Sequence, residues 1–113
     1  YVNRATAYDD DVDADLTIMD SNKAVQLDPT ISNAFNNLCH AYNGKGLYDQ
    51  AITNCNQAIA LRADYKQAYY NRGFAYEKQG NRTQAISDYR TSAKIDPNYA
   101  SPANALKRLG VTN

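Results

Sequence analysis

The sequence is poor in the residues that do chemistry. Its 113 residues include one His, two Cys and no Trp. There is no Ser-centred elbow and no Gly-rich phosphate loop, so nucleophilic catalysis and nucleotide binding have no motif to rest on. His40 follows Cys39 directly, and adjacent residues on a helix point about a quarter-turn apart, which argues against a Cys-His dyad. No apolar run approaches the length of a membrane helix, so a soluble chain without membrane insertion is expected. The formal net charge is zero, which removes the simple electrostatic case for nucleic acid or a membrane surface as partner. Two cysteines do not fix a compartment. The chain begins with Tyr1 and not Met, which leaves open an upstream segment or a longer parent protein, and the localisation is not legible.

What is present is a modest core and many hydroxylated rings. At 43% hydrophobic content, one domain is expected to span residues 1–113. Ten Tyr and two Phe supply the aromatics, which suits half-buried seams where a ring is packed and its hydroxyl stays wet. The zero net charge conceals a gradient. Residues 1–34 carry two basic and seven acidic side chains, a net of −5, whereas seven basic and three acidic residues from 69 onward give +4. Such a split marks solvated helix faces, or a head-to-tail contact between copies.

A period of thirty-four residues organises the chain. It aligns Tyr1/Phe35/Tyr69, Asn3/Asn37/Asn71, Ala5/Cys39/Gly73, Ala7/Ala41/Ala75, Tyr8/Tyr42/Tyr76, Ile18/Ile52/Ile86, Leu27/Leu61/Ile95 and Pro29/Ala63/Pro97 without a gap. In the third copy, Tyr69, Gly73 and Tyr76 fall at helical spacing, as do Ala85, Ile86, Tyr89 and Ala93. Gly80 ends the first of these helices, Asn81 or Thr83 caps the second, and Pro97 stops it. A fixed period built from a helix pair implies a solenoid in which each hairpin buries its apolar face on the next.

Tyr69, Arg72, Gly73, Tyr76, Ala85, Tyr89 and Pro97, with Phe35, Leu38, Tyr42, Gly46 and Ala51 one period earlier, resemble the tetratricopeptide repeat pattern. The resemblance covers nearly the whole chain. It implies an all-α superhelix of three helix-turn-helix repeats, about 1–31, 32–65 and 66–99, closed by a capping helix at 100–109 whose Leu106 and Leu109 face inward. The helices are expected at 1–11, 15–28, 32–44, 48–61, 66–79, 82–95 and 100–109. The first copy departs most from the pattern, with Val12 in place of the turn glycine, Thr17 in place of the small alanine and Ser21 in place of the aromatic.

The resemblance also implies a concave groove, lined by the first helix of each repeat, that holds a peptide segment or partner helix without catalysis or cofactor. The face left over by the inward stripe carries Asn3, Asn36, Asn37, His40, Asn43, Gln67, Tyr70, Asn71, Phe74 and Lys78. Amides both donate to and accept from a peptide backbone, and Tyr70 and Phe74, one turn apart, can anchor an apolar side chain. The bland reading has Asn71 and its counterparts bracing neighbouring helices. Family members that grip the acidic carboxyl terminus of chaperones use Lys and Arg among these positions. Here Asn37 survives, but Val2, Thr6, Gln67 and Asn71 stand at the others, which disfavours a chaperone tail. Self-association as a structural module, or a role as a fragment of a longer repeat protein, is the alternative.

Two further features stay open. Antiparallel helices set Cys39 opposite Cys55, which admits a disulfide; the plainer reading is two small buried residues at the places of Gly73 and Tyr89. Asp9, Asp11, Asp13, Asp15 and Asp20 follow an order like that of an EF-hand calcium loop, yet Ala14 stands where that loop needs Gly and Asp20 is short for its bidentate Glu. The repeat register instead makes this stretch a turn, with Asp13 and Asp15 capping the next helix, so no metal is expected.

Overall fold

The computed structural model describes residues 2–111, with side chains from residue 14 onward. These form six helices: α1 (Val2–Leu27), α2 (Ser32–Gly44), α3 (Tyr48–Leu61), α4 (Lys66–Lys78), α5 (Arg82–Ile95) and α6 (Ala100–Arg108). Each helix packs on the next in chain order, and α2 also touches α4 across the intervening α3. This is the expected all-α solenoid.

Glycine closes three of the helices in the same way. Gly46, Gly80 and Gly110 take φ of 77°, 83° and 80°, the left-handed region that residues with a Cβ avoid. The amide that follows each glycine then reaches back to a carbonyl of the last turn. Leu47 N–H donates to Tyr42 O and Asn81 N–H to Tyr76 O, both at 2.9 Å, and Val111 N–H donates to Leu106 O at 2.8 Å. The side chain of Asn81 then caps α5 by accepting from the Gln84 amide at 3.3 Å.

The same chemistry explains why the first repeat differs from expectation. The expected turn between helices at 1–11 and 15–28 is not formed, and α1 runs unbroken through it for 26 residues. One period before Gly46 stands Val12, a β-branched residue for which a left-handed φ is strained. Without a residue to end the helix, the chain continues it. Asp13 and Asp15 consequently have no helix N-terminus to cap, and Asp15 instead pairs with Lys45 beyond the end of α2.

Small residues let the helices approach closely. Ala51, Ala58, Ala68, Ala75 and Ala85 are fully closed to solvent. A Cβ on Gly73 of α4 would lie 2.9 Å from Cε1 of Tyr89, so the missing side chain makes the space that the ring fills. One period earlier, the same two positions hold Cys39 and Cys55. Their sulfurs are bonded, with Cα atoms 5.3 Å apart, and join α2 to α3. The cysteines are therefore one covalent strut where two separate small hydrophobes were the plainer expectation.

Polar groups tie α4 to α5 and to the helices on either side of that pair. Arg72 on α4 grips Asp88 on α5 through two hydrogen bonds of 2.9 and 2.7 Å, and donates to Asn56 on α3 at 3.0 Å. The Asp88 carboxylate, hydrogen-bonded to Arg72, raises the already high guanidinium pKa further. At the other end, Glu77 of α4 accepts from the Tyr89 hydroxyl at 2.7 Å and from Arg108 of α6 at 2.9 Å. These bonds dock α6 over the last hairpin, with Ala105 and Leu106 buried against Ala85 and Tyr89.

Candidate functional site

The helices α2 and α4 stand side by side because each is the first of its hairpin. Their facing surfaces leave a cavity of about 190 Å³, lined by His40, Asn43 and Gly44 from α2 and by Tyr70, Asn71 and Phe74 from α4. His40 and Gly44 are one helical turn apart, and so are Tyr70 and Phe74, so each wall is a stripe along one helix face. The lining is mainly apolar, which is the usual character of a pocket that takes a side chain.

A ladder of amides lies beneath this cavity. Asn43 Nδ2 donates to the backbone carbonyl of Asn71 at 2.9 Å, and Asn71 Nδ2 donates to Asn36 Oδ1 at 3.0 Å. All three residues are buried, at 9% exposure or less. They therefore brace α2 against α4, and Asn43 and Asn71 also line the cavity between them. The bracing reading of Asn71 is the one formed here, and the same residue lines the cavity. Among the described residues, the buried Asn43 Oδ1 atom has no hydrogen-bond partner.

The rings of the second wall are not equivalent. Tyr70 packs against Tyr89 and Tyr99, with ring centroids 5.6 and 5.9 Å away, so it belongs to the seam with α5 and α6 as well as to the cavity. Phe74 has the Lys78 ammonium 5.3 Å from its ring centroid. Burial, followed by the bond to the Glu77 carboxylate, pushes the Tyr89 phenol far above its usual range. Tyr89 is thus a neutral hydroxyl donor at any ordinary pH.

The remaining groove candidates lie outside the cavity lining. Asn37 and Lys78 are exposed and Gln67 is half-buried. The Asn3 side chain is outside the described residues, as are those of Asp9, Asp11 and Asp13. The backbone through residues 9–20 is helical, which removes the loop that the calcium reading required. Asp15 and Asp20 are exposed, and among the described residues no group of three or more His, Cys, Asp or Glu is placed to hold a metal. The sequence reading did not include Gly44 in the site, although it lies one turn beyond His40 on the same face.

Two family models match the chain, one described as TPR repeat over residues 40–80 and one as tetratricopeptide repeat over residues 67–99. The chain belongs to the tetratricopeptide repeat family. A comparison with curated protein sequences finds no match. Among solved structures, this repeat chain is similar to the first TPR domain of human RPAP3, at 26% identity and a TM-score of 0.85 over 96% of this chain and 85% of that one. It is similar to the first TPR of Spaghetti (RPAP3) bound to the HSP90 peptide SRMEEVD, at 26% identity and a TM-score of 0.84 over 96% and 86% of the two chains. It also shares its fold with the second TPR domain of human RPAP3 in complex with the HSP70 peptide SGPTIEEVD, at 22% identity and a TM-score of 0.82 over 96% and 90%. The family and fold are those of a protein-interaction scaffold. Among the described residues, no helix is long and apolar enough to cross a membrane.

Proposed function

We propose that this chain is a non-catalytic scaffold that binds an extended peptide segment along the groove between α2 and α4. The cavity lined by His40, Asn43, Gly44, Tyr70, Asn71 and Phe74 is the observation that carries this reading. It is concave, mostly apolar and edged by amides that match a peptide backbone. The peptide preference differs from that of the Spaghetti domain, whose ligand SRMEEVD is acidic. In this chain Gln67 and Asn71 replace the cations of the chaperone-tail clamp, and Asn71 is already engaged with Asn36. A ligand with few carboxylates is the better fit.

Selection from a random peptide library displayed against the immobilised domain tests this reading. Phe74→Ala is the informative variant, because Tyr70 also supports the seam with α5 and α6. Selected peptides should lose tenfold or more in affinity on Phe74→Ala, roughly the effect of removing one aromatic anchor, while the thermal midpoint of the domain changes little. Peptides that bind Phe74→Ala as tightly as the native chain place the binding surface elsewhere.

A further inference from the structure

The turn between α4 and α5 carries a motif that has no part in the groove. Asn81-Arg82-Thr83 is the one place in the sequence where Asn precedes a residue other than Pro and then Ser or Thr. That spacing is the acceptor pattern for N-linked glycosylation. So short a pattern recurs by chance, so its placement and surroundings decide its meaning. All three residues are exposed, at the turn that Gly80 makes with its φ of 83°. The Asn81 side chain caps α5 through Oδ1, which accepts from the Gln84 amide at 3.3 Å. An N–H donor there fixes which end of the side-chain amide is the oxygen, so Nδ2 is the end not used in the cap. Nδ2 is the atom that carries an N-linked sugar. A shallow depression lined by Thr83, Ile86, Ser87, Arg90 and Thr91 runs along α5 from the motif, edged by hydroxyls that suit the first sugars.

The bond between Cys39 and Cys55 is an independent sign of the compartment in which such sugars are added. Both residues are closed to solvent, and neither cysteine is left free. Disulfides of this structural kind form and persist in the oxidising lumen of the secretory route, in the periplasm and outside the cell, and are rare in a reducing cytosol. An exposed Asn-X-Thr triplet belongs to the surface of a secreted chain. The covalent strut and the acceptor motif sit in different hairpins and point to the same side of the membrane.

We propose that Asn81 is an N-glycosylation site and that the chain folds in an oxidising, extracytosolic compartment. Asn81 Nδ2 attacks the anomeric carbon of an oligosaccharide carried on a polyprenyl diphosphate. The carbon–nitrogen bond forms as the bond from that carbon to the diphosphate oxygen breaks. One Nδ2 proton passes to a base of the transferase, and the polyprenyl diphosphate leaves. Oδ1 and one N–H remain on the amide, so the sugar is added without loss of the α5 cap. None of this depends on what the groove binds.

The test uses the full chain secreted from cultured animal cells behind a signal peptide, and the same chain purified from its native source. Thr83→Ala is the control, because it removes the acceptor pattern and keeps the Asn81 cap. On a denaturing gel the secreted native chain should run above Thr83→Ala and fall to its position after treatment with peptide-N-glycosidase. In the source material, the same enzyme in ¹⁸O water should leave labelled aspartate at position 81 of the chymotryptic peptide 77–89. Iodoacetamide applied to the denatured chain before reduction should modify neither cysteine. A secreted chain that the glycosidase does not shift overturns the site, as does an unmodified Asn81 in the source material. Alkylated Cys39 and Cys55 in that material overturn the compartment. The glycosidase shift of the native chain stands by itself should Thr83→Ala fail to fold.

Discussion

A single absent methyl governs the α4 and α5 seam. Gly73 leaves its space to Tyr89, a ring with no exposed surface whose hydroxyl is fixed to Glu77, so the ring has nowhere to retreat. In Gly73→Ala the new Cβ would lie 2.9 Å from Cε1 of Tyr89 and 3.2 Å from Cβ of Asp88. We expect this substitution to lower stability by about 1–3 kcal/mol in urea unfolding, despite the better helix propensity of Ala. A stabilised Gly73→Ala contradicts this packing. Only the structure shows that Tyr89 of the next helix fills the space beside Gly73. That position 73 takes a small residue was legible in the sequence, because Gly73 shares an inward stripe with Tyr69 and Tyr76. The fate of Asn71 was not, since an amide suits a brace and a ligand contact equally well and only its distances to Asn36 and Asn43 show the brace.

At the scale of the element, α6 adds charged contacts to the packing of its Ala105 and Leu106. Its Arg108 bonds to Glu77, and Arg82 reaches the carbonyl of Leu109 just past its end. The Arg108 hydrogen bond, opposed by burial and helped by Tyr89, holds the Glu77 carboxyl below its ordinary value of 4.5. A carboxylate with a depressed folded pKa contributes stability above its unfolded pKa and loses it as pH falls through the folded value. Glu77→Gln should therefore be less stable than the native chain near neutrality, and the gap should close as pH falls below 4.5. Thermal midpoints between about pH 7 and pH 3 follow this, and a constant gap across that range refutes it. The ends of α2, α4 and α5 were legible from Gly46, Gly80 and Pro97. The unbroken α1 was not anticipated: a gapless register pointed to a turn at 12–14, while the residue at the turn, Val12, opposed one. Local backbone strain won over the repeat pattern.

At the scale of the whole molecule, stability is divided between the hairpins by different means. The α4 and α5 pair uses a Gly and a Tyr where the α2 and α3 pair uses the bond between Cys39 and Cys55, which spans 16 positions of sequence. A closed loop of this size stabilises a fold by about 3 kcal/mol. Urea unfolding of the native chain should shift to lower midpoint in the presence of dithiothreitol, and Cys39→Ala/Cys55→Ala should unfold at one midpoint with or without it. A native midpoint unmoved by reductant shows that the bond adds nothing. The period announced the solenoid, but the bond depends on a separation between two helices that the spacing alone left open.

That bond also changes how the chain responds to force. Helix hairpins stacked in a row come apart one after another when pulled by their ends, and the fourth and fifth helices have no covalent link to hold them. The α2 and α3 pair is stitched across its middle, so the segment between the cysteines stays out of the extension. At about 3.5 Å per extended residue, some 50 Å of contour length is withheld while the sulfurs remain joined and released once they are reduced. Under tension the middle of the chain is a stop, its far hairpin a spring.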